Sequence, residues 1–125
     1  MSKKILVIED DSVLQKALYE TLISAGYEVF LASNGKEGID RAKMISLDLV
    51  LLDIILPILD GFQVLGMIRS CRKLAVRNLP VIILSNLGQE EDNKKAMDMG
   101  ANDYIVKVYF TTDEVIKKIK LILGE

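Results

Sequence analysis

Two kinds of segment alternate along the chain. Continuous apolar runs stand at Ile5-Leu6-Val7-Ile8, Leu49-Val50-Leu51-Leu52 and Val81-Ile82-Ile83-Leu84, with a weaker one at Tyr104-Ile105-Val106, while Tyr27 to Ala32 alternates like a half-buried strand. Between them the spacing is helical. Leu14, Leu18 and Leu22 lead up to Gly26; Asn34-Gly35 opens a segment reaching about Met44; Phe62 to about Arg69 carries Val64, Leu65 and Ile68. Gln89 to Met99 stops at Gly100, and Val115, Ile119 and Ile122 stripe the last segment. The pattern predicts five strands and five helices.

Strict strand–helix alternation with fully apolar central strands is the mark of an α/β protein, a doubly wound parallel sheet covered on both faces by crossover helices. Gly26 and Gly100 sit where a chain leaves a helix in the left-handed conformation that glycine adopts at little cost. The least regular stretch, Cys71 to Pro80, reads as the connection from the third helix to the fourth strand. No repeat or linker interrupts the pattern, so residues 1–125 are expected to form one domain.

Composition narrows the chemistry. Half the residues are hydrophobic, enough for a core, and 16 basic against 18 acidic side chains leave a formal charge of −2. That balance argues against direct nucleic-acid or membrane-surface binding. There is no histidine and one cysteine, Cys71, which excludes histidine zinc sites, histidine-based triads and an internal disulfide. The start, Met-Ser-Lys-Lys, lacks the apolar stretch of a secretory signal, so a cytoplasmic protein is expected.

In an open parallel sheet the binding crevice lies beyond the carboxyl ends of the strands. There the first strand is followed by Glu9-Asp10-Asp11, the third by Asp53, the fourth by Ser85-Asn86 and the fifth by Lys107. Carboxylates about 4 Å apart repel by roughly 4 kcal/mol per pair at an effective dielectric near 20, unless protons or a cation offset them. With hard oxygen donors alone, Mg²⁺ suits such a cluster, and Mn²⁺ is the alternative. Ser85 and Lys107 add the donors that a phosphoryl group needs. Asp11 reads as a helix cap and Asp60-Gly61 as turn chemistry.

The run Lys4-Ile5-Leu6-Val7-Ile8-Glu9-Asp10-Asp11, the stretch Leu52-Asp53-Ile54-Ile55-Leu56-Pro57-Ile58-Leu59-Asp60-Gly61, the strand end Leu84-Ser85-Asn86 and Gly100-Ala101-Asn102-Asp103-Tyr104-Ile105-Val106-Lys107 together resemble the receiver domain of two-component response regulators. The resemblance spans essentially the whole chain and implies a flavodoxin-like sheet of order 2-1-3-4-5. It implies that Asp53 accepts a phosphoryl group from a sensor histidine kinase or histidine phosphotransfer protein. Asp10 and Asp53 would hold Mg²⁺ with the Ile55 carbonyl, Glu9 would hold it through a water, and Lys107 would pair with a phosphoryl oxygen. Ser85 and Tyr104 would form the switch. Output would pass through the fourth helix, fifth strand and fifth helix to a downstream protein, as a monomer or a phosphorylation-dependent dimer.

Two residues depart from the family pattern. Val108 follows Lys107 where the family usually has proline in a cis bond; a cis bond without proline costs about 2.5–4 kcal/mol, so a trans bond with a rearranged loop, or a strained cis bond held by the site, is expected. Asn86 stands where a small residue is usual, and with Ile55 and Leu87 it predicts a long-lived phosphoryl group. These departures leave an unphosphorylated protein-binding adaptor as the alternative function. An enzyme fits poorly: no glycine-rich phosphate cradle follows the first strand, as a flavin carrier would need, and 125 residues leave no room for the substrate-covering domain of an aspartate-nucleophile phosphatase.

Overall fold

In the computed structural model, which describes residues 2–125, every apolar run of the sequence becomes a strand of one sheet. The elements follow in the order β1 (Lys4–Ile8), α1 (Ser12–Ser24), β2 (Glu28–Ala32), α2 (Gly35–Met44), β3 (Leu49–Asp53), α3 (Gly61–Arg69), α4 (Leu74–Arg77), β4 (Val81–Ser85), α5 (Glu90–Asp98), β5 (Asp103–Val106) and α6 (Thr112–Leu123). The strands lie in the order β2-β1-β3-β4-β5, and all four neighbouring pairs are parallel. This is the flavodoxin-like arrangement.

The strands are uniformly apolar because both faces of the sheet are covered. Leu6, Ile8, Val50, Leu52, Val81 and Ile83 point into one core with Ile39 of α2, Leu65 and Ile68 of α3, Val76 of α4 and Ala96 of α5. Ile5, Val7, Leu49, Leu51, Ile82 and Leu84 point the other way, against Leu18 and Leu22 of α1 and Val115 and Ile119 of α6. Alternate side chains thus bury on opposite faces, as the period of a strand requires. Gly26 and Gly100 follow their helices with φ of 93° and 104°.

Among the described residues the number of helices is corrected from five to six. The stretch Cys71 to Pro80 contains α4, four residues long, of which only Val76 is buried. A single buried position leaves no periodicity to read. The segment is held instead by Arg69, which donates to the carbonyls of Arg77 and Leu79 at 3.0 and 2.6 Å and to that of Gly100 at 2.8 Å. The fourth predicted helix is therefore α5 and the fifth is α6.

Helix α5 is the thinly packed element. It buries only Asn93 and Ala96, has no side-chain cap, and leaves Asn93 Oδ1 without a hydrogen-bond partner. Lys95 lies over the Phe62 ring at 4.2 Å, a cation–π contact with α3. Acidic Glu90, Glu91 and Asp92 in its first turn suit the positive end of the helix dipole.

Candidate functional site

The ladder positions the polar residues at its carboxyl edge. Glu9 N donates to Ala32 O at 3.0 Å, Ile54 N to Leu84 O at 3.3 Å, and Lys107 N to Ser85 O at 2.8 Å, so each strand end is tied to its neighbour just past the last paired residue. Gly61 brings α3 against the end of β3: a Cβ there would overlap the Asp53 carbonyl oxygen and crowd the Ile54 Cα. Its N–H donates to Ile54 O at 2.7 Å, and Asp60 caps α3 in a reciprocal box with Gln63.

Carboxylate oxygens of Glu9, Asp10 and Asp53 lie within 4.8 Å of one another. Glu9 is fully buried and Asp53 is 3 % exposed, whereas Asp10 faces solvent. Lys107 Nζ stands 2.7 Å from Asp53 Oδ2 and 2.8 Å from Glu9 Oε1. The second contact pairs charges without hydrogen-bond geometry, so Glu9 Oε1 has no donor. Asp53 Oδ1 accepts from Ile55 N at 3.1 Å, and Glu9 Oε2 from Asp10 N at 3.1 Å.

Burial, reinforced by the Asp53 carboxylate and opposed by Lys107, pushes the Glu9 carboxyl up from 4.5 to about 8. For Lys107 burial works downward, but the hydrogen bond to Asp53 and the close negative groups of Asp53 and Glu9 together outweigh it and raise the ammonium's pKa. One ammonium thus faces a group of three carboxylates. The buried Glu9 oxygen, which has no partner but that ammonium, and the all-oxygen donor set fit a hard divalent cation, and Glu9, Asp10 and Asp53 are the side chains able to hold it.

Ser85 is fully buried, its hydroxyl at the limit of hydrogen bonding from Ile105 O, 3.5 Å away. Tyr104, on β5, is 41 % exposed. Ile55 is exposed beside Asp53, and Asn86 is exposed at the end of β4, where its N–H donates to Gln89 Oε1 at 2.6 Å. The Lys107–Val108 bond is trans, Val108 and Tyr109 turn out to solvent, and Lys107 nevertheless reaches both carboxylates. Asp11 caps α1, accepting from Val13 N and Leu14 N.

One side chain that the sequence did not single out also reaches this edge. Gln15 Nε2, on α1, donates to Glu9 O at 2.9 Å and to Ala32 O at 3.2 Å. Nothing in local spacing marks it, since its partners lie 6 and 17 residues away. Among the described residues no helix is long and apolar enough to cross a membrane.

The family model of the response regulator receiver domain matches residues 5–120. The chain is 36 % identical over 125 residues to the alkaline phosphatase synthesis transcriptional regulatory protein PhoP of Bacillus subtilis, covering 98 % of this chain and 49 % of that protein. It is 35 % identical over 120 residues to the transcriptional regulatory protein CusR of Escherichia coli, covering 96 % and 51 %. Thus the chain spans about half the length of the curated relatives it matches. Among solved structures, the receiver domain of a sensor histidine kinase from Pseudomonas aeruginosa, with a magnesium ion coordinated in its active site cleft, superposes with a TM-score of 0.90 over 100 % of both chains at 30 % identity.

Proposed function

The chain belongs to the response regulator receiver family, and from that membership we propose that it is a phosphoryl-accepting switch of a two-component phosphorelay, with Asp53 as the acceptor. The observation that carries this reading is the gathering of the Glu9, Asp10 and Asp53 carboxylates around the reach of one ammonium, Lys107. The donor is a phosphohistidine on a sensor kinase or phosphotransfer protein. An Asp53 carboxylate oxygen bonds to phosphorus as the bond to the donor's imidazole nitrogen breaks, a displacement governed by positioning and charge neutralisation.

Glu9, Asp10, Asp53 and the Ile55 carbonyl would hold Mg²⁺. When bound, the metal supplies the positive charge that the phosphoryl oxygens require. Lys107 moves from its two carboxylate partners toward a phosphoryl oxygen. Ser85, whose hydroxyl has only a long contact with Ile105 O, turns to another, and Tyr104 moves inward behind it. The surface formed by α5, β5 and α6 then changes for a downstream protein. In this reading the chain is a signalling switch that promotes its own phosphorylation and dephosphorylation, and turns over no separate substrate. The apolar flanks Ile55 and Leu87, with Asn86, favour a long-lived phosphoryl group.

Incubation with acetyl phosphate and Mg²⁺, followed by intact-mass measurement, tests the proposal. One added phosphoryl group, absent from Asp53→Asn, is the expected result. No mass increase on the unaltered chain overturns it in favour of an unphosphorylated adaptor, and loss of the label within seconds overturns the long lifetime.

A further inference from the structure

We infer that Gln15 is a positioning residue for the acidic turn Glu9-Asp10-Asp11, fixing the carboxylate pair in the geometry a small dication demands; this rests on the magnesium reading above. The turn begins where the β1–β2 ladder stops. Glu9 N to Ala32 O, at 3.0 Å, is the last backbone bond of that edge, and Glu9 and Asp10 lie beyond the end of β1. The Glu9 side chain is fully buried next to the Asp53 carboxylate, and past that one bond no strand partner holds the backbone that leads into Asp10.

Gln15 supplies the missing tie. From the first turns of α1 its Nε2 donates to Glu9 O at 2.9 Å and Ala32 O at 3.2 Å and lies 3.4 Å from Ser33 Oγ. Two of these partners are carbonyl oxygens, which only accept, so the amide nitrogen must face them. One side chain thereby bridges the ends of β1 and β2 one step beyond the ladder. The far end of the turn is fixed separately, by the Asp11 side chain on Val13 N and Leu14 N at 2.9 and 3.3 Å. Asp10, exposed between the two anchors, takes its direction from both.

Groups that orient metal ligands without touching the metal commonly change affinity 10–100-fold when removed. Mg²⁺ demands near-ideal octahedral geometry, whereas Ca²⁺ tolerates irregular ligands at longer distances. A loosened turn should therefore penalise Mg²⁺ more than Ca²⁺, a signature that general destabilisation does not produce.

The test is titration of the full chain with MgCl₂ and, separately, CaCl₂, followed by backbone amide NMR shifts. Gln15→Met keeps the bulk and removes the donor, and Gln15→Glu keeps the shape and replaces the donor with oxygen. Both variants are expected to lose about 10-fold in Mg²⁺ affinity and less than about 3-fold for Ca²⁺. Unchanged Mg²⁺ affinity, or equal losses for both ions, overturns the role of Gln15 and leaves the magnesium reading standing. Absence of Mg²⁺ binding by the unaltered chain overturns both. Failure of both variants to fold assigns Gln15 to the fold and overturns the inference.

Discussion

The Lys107 ammonium lies 2.8 Å from the Glu9 carboxylate and 2.7 Å from that of Asp53, so a single positive charge serves two buried acids that exceed it. Glu9, the more deeply buried, responds by holding its proton up to about pH 8.

Stability without divalent cations should therefore fall as pH rises. Below about 4.5 Glu9 is protonated in both folded and unfolded chains; from there to about 8 only the folded chain keeps the proton. The stabilisation is fully present below the unfolded pKa and lost through the folded one, with a slope of at most about 1.4 kcal/mol per pH unit. Urea unfolding in EDTA across this range should show the decline for the unaltered chain and a flatter profile for Glu9→Gln.

Magnesium affinity should run in the opposite direction, rising toward about pH 8 and levelling above it, because Glu9 must release its proton to bind. Calorimetry near neutral pH should give binding heats that depend on the buffer's ionisation enthalpy. Heats that are the same in every buffer would contradict proton release.

Lys107→Met leaves Glu9 and Asp53 facing each other without compensation. Removing one partner of a buried ion pair typically costs about 3–5 kcal/mol. The loss should grow as pH rises, and because Lys107 lowers the Glu9 pKa, the variant's Glu9 should keep its proton to higher pH than in the unaltered chain. Saturating Mg²⁺ should restore more stability to this variant than to the unaltered chain, read as the larger rise in melting temperature.

Gly61→Ala places a methyl group against the Asp53 carbonyl and the Ile54 backbone. An overpacked site of this kind costs about 1–3 kcal/mol, visible as a lower urea midpoint. Because the displaced backbone carries Asp53, the variant should also bind Mg²⁺ more weakly.

Ile58 is the only non-glycine among the described residues with a positive φ, 72°, and its side chain is 71 % exposed. The left-handed region costs ordinary residues roughly 1–2 kcal/mol, least for asparagine and most awkwardly for a β-branched side chain. Ile58→Asn should raise the unfolding free energy by about 1 kcal/mol in denaturant titration.

Most of the architecture could be read from the chain because runs such as Leu49–Leu52 and Val81–Leu84 are apolar throughout, as burial on both sheet faces requires, and too short for buried helices. The gathering of the candidate residues was legible for a related reason: Asp53 and Ser85 terminate such runs and Glu9 and Lys107 follow them, so the ladder register alone brings them to one edge. The short helix α4 was not legible, since it buries only Val76 and its end is tied down by Arg69 from outside the segment. Nor were the hydrogen bonds of Gln15, which join segments distant in sequence, or the positive φ of Ile58, which sits in a tight turn closed by Leu59 N on Pro57 O at 2.9 Å.

The orphan amide oxygen of Asn93 gives α5 an unusual relation to heat. An apolar side chain of matching size there would remove the unpaired buried amide and hold the helix more firmly on the sheet. Under the proposed function the same exchange would mute the chain, because an element glued to its neighbours no longer registers a small rearrangement at Ser85. Tolerance of high temperature and sensitivity to an incoming signal are thus opposed at a single position.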